Sequence, residues 1–535
     1  MKRIIIVLLA GLLLAACQPT PETEFVVNKG DQSAMIDMAK GDGTDVATAV
    51  GIEDEKGSQT LDYRAMYGIP GRWSDSFSDR EGKVTVRIDA PIEVPTAPLP
   101  IVRVFARDFD QETVMRIWNV LIGDTPMFEI VDEENLNRRT RIKEELEYLY
   151  SLLDDPELMK AKMYASADEV VEEIADLQAD YNAAEDAAPK DPERVDSTLR
   201  RRGVGFYDKP DVTTRSGLWA ISGDGGVRFE VNNPIDSDEQ IYEHVDGGWN
   251  VIQNDKRATL LYRRSSPVID VNTGSGPLFI PRGIAVSEDD PLREEAKKCL
   301  SYPPKEAADK VRAFLTQAGL SEDFTIAYIR LENNAGALYD RYGDGTVPKP
   351  THYAYHIECV RTVSGAPCCV SEANVRESRG GESTKTAYAP SWSYENMLFY
   401  LDDDGIYWFG WGTPLSVADT LTPFSNLKPF DEIQTIVENR LPLSYVENVN
   451  RLLETAENPP ALPATELSID RITLGLWRIA EQDKLGQGLL VPAYCFYGTL
   501  KGTWYQDETP RMEYNDLLFV INAVDGSVIA PEKGY

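Results

Sequence analysis

Three histidines stand in the chain, His244, His352 and His356, and two of them fall in the spacing His352-x-x-x-His356-x-Glu358. The stretch from Thr351 to Val363 carries tyrosine and valine and reads as a strand, on which positions 352, 354, 356, 358 and 360 share one face. Alternate residues then stand about 6.6 Å apart, wide for a single metal ion, although His356 and Glu358 can bridge to one. That chemistry would be metal-assisted hydrolysis. The plainer reading is a solvent-facing polar strand face with Tyr353, Tyr355, Ile357 and Cys359 turned inward. It is preferred, because two histidines and a glutamate without a recognised further ligand recur by chance.

Two aspartate groups, Asp402-Asp403-Asp404-Gly405 and Asp340-x-x-x-Asp344-Gly345, suit weak calcium binding, but neither extends to a full EF-hand loop. Asp-Gly is also a strong hairpin signal, so a turn is the better reading at 402–405, while 340–346 stays open. Trp408, Trp411, Trp477 and Trp504 could make a sugar- or peptide-binding platform; on alternating strands such residues more often fill the core. Gly-x-Ser-x-Gly, His-Glu-x-x-His and Gly-x-x-x-x-Gly-Lys are absent, and no cofactor is expected.

Residues 1–16 have the order of a secretory signal peptide: basic Lys2 and Arg3, then an apolar run from Ile4 to Leu14 that is too short to span a bilayer. Leu14-Ala15-Ala16-Cys17 resembles the lipobox of bacterial lipoproteins. The resemblance implies diacylglyceryl transfer to the Cys17 thiol, cleavage before it, fatty acylation such as palmitate, and a cell-membrane anchor. The expected location is the outer face of the cytoplasmic membrane, or the outer membrane in a diderm organism, since residue 18 is Gln rather than Asp. Beyond Cys17 lie Cys299, Cys359, Cys368, Cys369 and Cys495. Five is odd, so at least one thiol is left unpaired, and adjacent cysteines such as 368 and 369 seldom bridge each other.

The elements that must hold these residues are mixed in kind. Residues 17–60 are polar, with few large apolar side chains, and read as a lipidated flexible tether. A β-rich N-terminal domain is expected over 61–290, with Val84, Val86 and Ile88 alternating and Asp110 capping a helix that carries Val114, Ile117, Trp118 and Leu121. Within it, 132–187 reads as a helical hairpin, with Ile142, Leu146, Leu149 and Leu153 on one helix and Val170, Ile174, Leu177 and Tyr181 on the other. This hairpin concentrates acidic residues, which suits a solvated face more than a docking arm. Pro304 opens a further helix, closed by Gly319, and strands follow at 324–331, 352–363, 397–401 and 406–411. Helical stretches at 430–438 and 444–456 and strands near 467–479, 489–497 and 517–529 read as a second round of the same plan.

The stretch 517–529, ending in the Asp525-Gly526 turn, resembles the closing hairpin of PepSY-like modules, and 397–409 looks like its counterpart. Tyr388-Ala389-Pro390, Trp392, Tyr394-Glu395, Asp403-Asp404-Gly405-Ile406, Phe430-Asp431-Glu432-Ile433, Leu474-Gly475-Leu476 with Arg478-Ile479, and Leu490-Val491-Pro492-Ala493 extend the likeness. Together they resemble a lipoprotein family of Gram-positive bacteria that has PepSY-like C-terminal modules and no assigned activity. The resemblance implies an α+β fold: an antiparallel β-rich N-terminal region with the inserted hairpin, then two PepSY-like helix-plus-antiparallel-sheet modules at 291–420 and 421–535.

Composition limits the partners. With 88 acidic against 54 basic residues the formal charge is −34, and a chain this acidic repels phosphate backbones, so no nucleic-acid partner is expected. The expected function is a lipid-anchored, extracytoplasmic, non-enzymatic binding or regulatory protein of the cell envelope, with the membrane as one partner through Cys17 and a protein or peptide as the other. The alternatives are a metal-assisted envelope hydrolase using His352, His356 and Glu358, and a solute-binding lipoprotein.

Overall fold

A computed structural model describes residues 32–41, 52–53, 59–129, 146, 149–150, 153, 166–183, 193–203, 214–235, 241–245, 248–252, 258–265, 284–285, 293–333, 350, 352–370, 394–453, 465–481, 484, 486–503 and 510–531. Cys17, Asp340, Asp344 and Trp504 lie outside the described residues. Among the described residues strand takes 47% and helix 27%, so the fold is β-rich. This corrects the expectation of an α+β fold ending in two PepSY-like helix-and-sheet modules. The physical reason lies in strand pairing, which joins segments that the sequence pattern assigns to different modules.

Two large sheets carry the molecule. The twelve-stranded sheet runs in the order Ile284–Ala285, Phe324–Asn333, Tyr353–Val363, Asn396–Asp402, Gly405–Gly412, Thr259–Arg264, Val227–Ile235, Thr214–Ser222, Met127–Glu129 and Arg194–Val195, with Ala366–Pro367 and Arg200–Gly203 attached beside it. Strands from the expected N-terminal domain thus pair directly with those of the expected first module, Tyr262 opposite Phe409 for example. The eight-stranded sheet runs Leu415–Thr422, Ile101–Ala106, Gln487–Thr503, Thr465–Ala480, Val84–Glu93 and Arg72–Ser78, with Pro510–Asn522 paired onto Gln487–Thr503 and Val528–Ile529 paired onto Pro510–Asn522. Its central pair, Thr465–Ala480 beside Val84–Glu93, is parallel, while its other pairs are antiparallel. Neither sheet is a doubly wound parallel lobe of the kind a solute-binding protein would need.

Local sequence explains the elements well. In Val84–Glu93 the alternation buries Val84, Val86, Ile88, Ala90 and Ile92 on one face. Gln111–Leu121 is capped by Asp110, whose carboxylate accepts from the Thr113 amide at 2.7 Å, and buries Val114, Ile117 and Trp118. Pro304–Gln317 starts on its proline, ends before Gly319 at φ +68°, and sets Phe314 against Phe399 and Phe409. These two helices cover one face of the twelve-stranded sheet. Phe430–Leu453 is one helix running through Pro442, where the sequence pattern reads two; Phe430, Ile433, Val437 and Leu441 pack it on the eight-stranded sheet. In the acidic hairpin region, Leu146 and Leu149 pack against Val170 and Ile174 in a cluster of their own.

The segment read as a tether contains a helix, Gln32–Lys40. It buries Met35 and Ala39 in the core of the eight-stranded sheet. The Gln32 side-chain amide donates to the Ala480 carbonyl at 2.8 Å, and the Asn426 amide donates to the Ala39 carbonyl at 2.8 Å.

Candidate functional site

The residues singled out by spacing sit on Tyr353–Val363, which lies between Phe324–Asn333 and Asn396–Asp402. A central strand can be covered on both faces, and this one is: His356 is 3% and Glu358 4% exposed, as deeply buried as Ile357 and Cys359 opposite them. The expectation of a solvent-facing polar face therefore fails. His352 precedes the strand and is half-buried.

Register then assembles a site that the spacing alone does not reveal. Opposite His356 stands Arg330 on one side and Tyr400 on the other; Tyr400 faces Trp408, Trp408 faces Arg263, and Arg263 faces Arg228. Directly paired residues point to the same face, so one row of Arg330, His356, Tyr400, Trp408, Arg263 and Arg228 crosses six strands. The neighbouring row carries Tyr328, Glu358, Leu398, Gly410, Leu261, Glu230 and Trp219. Gly410 explains itself here: a Cβ there would lie 2.3 Å from the Trp408 ring, so only glycine lets that indole lie flat on the sheet. Gly217 does the same for Trp219, whose ring would be 2.6 Å from a Cβ.

At the centre of the face, Arg330, Glu332 and His356 form a closed triangle. Arg330 Nε donates to Glu332 Oε1 at 2.5 Å and lies 2.9 Å from His356 Nδ1, which is itself 2.9 Å from Glu332 Oε1. Burial pushes the Glu332 carboxyl up, but His356 and Arg330 together outweigh it and hold its pKa below the ordinary carboxylate value. The imidazole stacks on Tyr400, with ring centroids 4.6 Å apart and planes 6° from parallel. Next to it, Tyr328 donates to Glu358 Oε2 at 2.7 Å. Three polar atoms in this cluster, His356 Nε2, Glu332 Oε2 and the Tyr407 hydroxyl, are buried without a hydrogen-bond partner. Further along, Arg228 and Glu230 are ion-paired, and burial, then the neighbouring Arg228 charge, holds the Arg263 guanidinium below its usual value.

For metal chemistry the arrangement is unfavourable. Arg330 sits on His356 Nδ1, Tyr328 engages Glu358, and among the described residues no three His, Cys, Asp or Glu side chains come together at ligand spacing. Asp402-Asp403-Asp404-Gly405 is a hairpin turn with Gly405 at φ +103°. Its carboxylates are engaged by protein donors: Arg264 reaches Asp402 at 2.7 Å and the Ser301 amide reaches Asp403 at 2.6 Å. Trp411 and Trp477 are core residues of the two sheets, whereas Trp408 belongs to the polar face.

Sequence reasoning reaches His356 and Glu358 but misses Arg330, Glu332, Tyr400 and Arg263. The available signal is Arg330-x-Glu332, two charges at strand spacing inside an otherwise apolar strand.

No protein-family model matches the chain, and no curated protein is similar enough to match. Among solved structures the chain is similar to an uncharacterized protein from Eubacterium rectale ATCC 33656, at 11% identity and a TM-score of 0.37, over 94% of this chain and 99% of that one.

Proposed function

We propose that the protein is a lipid-anchored, extracytoplasmic binding or regulatory protein of the cell envelope, non-enzymatic, whose ligand or partner is received within the buried polar–aromatic cluster of the twelve-stranded sheet. The observation that carries the binding surface is the set of unpartnered polar atoms, His356 Nε2, Glu332 Oε2 and the Tyr407 hydroxyl, beside stacked and flat-lying rings. A donor or acceptor buried without a partner costs about 1–3 kcal/mol, so a face that keeps several is better suited to capture than to structure alone. The engaged states of Glu358 and His356 Nδ1 favour binding over hydrolysis. The lipobox-like Leu14-Ala15-Ala16-Cys17 supports the anchor.

Two measurements test this reading. Cells fed an alkyne-tagged palmitate should label the protein, and Cys17→Ala should abolish the label and release the chain from the membrane fraction. Elemental analysis of purified protein should find no stoichiometric zinc; one zinc per chain, lost on His356→Ala, overturns the non-enzymatic reading in favour of the hydrolase.

A further inference from the structure

Cys369 and Cys495 lie far apart in sequence and meet in the core of the eight-stranded sheet. Cys495 stands opposite Thr473, and two residues back Ala493 stands opposite Gly475, so Cys495, Ala493 and Gly475 share one face. Cys369 is laid over that face. Its amide donates to the Leu476 carbonyl at 2.8 Å, and its Sγ lies 3.9 Å from the Thr473 carbonyl and 4.0 Å from that of Ala493. The segment is pinned on both sides: the Cys368 amide donates to Arg361 at 2.7 Å, and the Tyr497 hydroxyl donates to the Val370 carbonyl at 2.9 Å. Gly475 is required by this arrangement, because a Cβ there would stand 2.9 Å from Cys369 Sγ. Both are free thiols in this structure, with Cys369 7% and Cys495 0% exposed. Cys359 and Cys299 belong to other places, one in the core of the twelve-stranded sheet and one exposed.

We propose that Cys369 and Cys495 form the protein's one disulfide once it leaves the reducing interior of the cell, locking the 368–370 segment onto the eight-stranded sheet. The two thiols lose two protons and two electrons, and a disulfide oxidant, such as oxidised glutathione or an oxidoreductase disulfide, takes them up and leaves as two thiols. One cysteine first forms a mixed disulfide, and the other displaces the oxidant's thiolate. Burial, with the Cys495 thiol next, pushes the Cys369 thiol well above its ordinary value, so thiolate is scarce once the sheet has closed. The bond therefore forms during folding and resists reductant afterwards. This step depends on the export part of the proposed function but not on the ligand site.

The test uses the mature chain carrying Cys17→Ser, reduced and denatured, then refolded in a glutathione redox buffer, alkylated in denaturant and weighed intact. Three alkylated cysteines out of five are expected, unchanged pairing in Cys368→Ser, and no cross-link in Cys369→Ser or Cys495→Ser. Five alkylated cysteines in the refolded parent, glutathione adducts in place of a cross-link, or a cross-link that survives Cys369→Ser overturns the proposal. If the bond forms on refolding yet the protein taken from cells has five free thiols, the export reading fails and the geometry stands.

Discussion

Replacing Glu395 by Gln keeps its shape and removes the charge that Arg361 depends on. The pair is bidentate, at 2.6 and 2.8 Å, and both side chains are under 10% exposed. Glu395 also accepts from the Trp411 indole at 3.1 Å and the Leu415 amide at 3.3 Å, so it ties the end of one sheet to the start of the other. Stranding a buried guanidinium costs about 3–5 kcal/mol, and we expect Glu395→Gln to lower the urea midpoint accordingly. The double replacement Arg361→Met with Glu395→Leu should recover much of the loss. Glu332 gives a pH prediction. Its folded pKa lies below the unfolded value near 4.5, so the folded state binds fewer protons. The stability it contributes is complete above about pH 4.5 and is lost as pH falls through the lower folded pKa. Glu332→Gln should therefore flatten the acid limb of a stability–pH curve, and an unchanged limb would count against the triangle with Arg330 and His356.

At the scale of elements, the N-terminal helix makes the clearest claim. Met35→Ala empties a core position, and we expect a loss of about 2–5 kcal/mol in thermal or urea unfolding. A chain that begins at residue 32 should melt with the mature protein, whereas one that begins at 42 should melt lower, because Ala480 and Asn426 lose their partners. This helix is illegible in sequence because it is only nine residues long, buries only Met35 and Ala39, and stands in a surrounding segment that is otherwise polar. Gln111–Leu121 and Pro304–Gln317 were legible for the opposite reason: each shows a start signal and a full apolar face. Tyr353–Val363 is legible as a strand, but its cover on both faces is not. Alternation implies a wet face only when one side of a strand meets water, and this strand is covered on both.

Taken whole, the molecule is interleaved. The parallel pairing of Val84–Glu93 with Thr465–Ala480 joins opposite ends of the chain, and Ile101–Ala106 lies between Leu415–Thr422 and Gln487–Thr503. Local pattern carries strand identity but no partner, so this arrangement could not be read from the sequence, and a serial plan of modules was the natural misreading. The consequence is testable. The fragment 421–535, expressed alone, should show no cooperative melt by circular dichroism, since the parallel neighbour of Thr465–Ala480 is missing. Co-expression with 61–420 should restore one. Independent folding of the fragment would mean the pairing contributes little.

The docked helix at Gln32–Lys40 also sets a leash length. Under the proposed acylation of Cys17, fifteen Cα steps separate the anchor from Gln32 at the start of this helix, a reach of at most about 54 Å. If Lys2 and Arg3 leave with the proposed signal peptide, the body carries a charge of −36 and would be pushed off an anionic bilayer without retreating beyond that radius. Under the proposed anchor it would be confined to a thin shell above the membrane, within reach of the outer segments of integral membrane proteins.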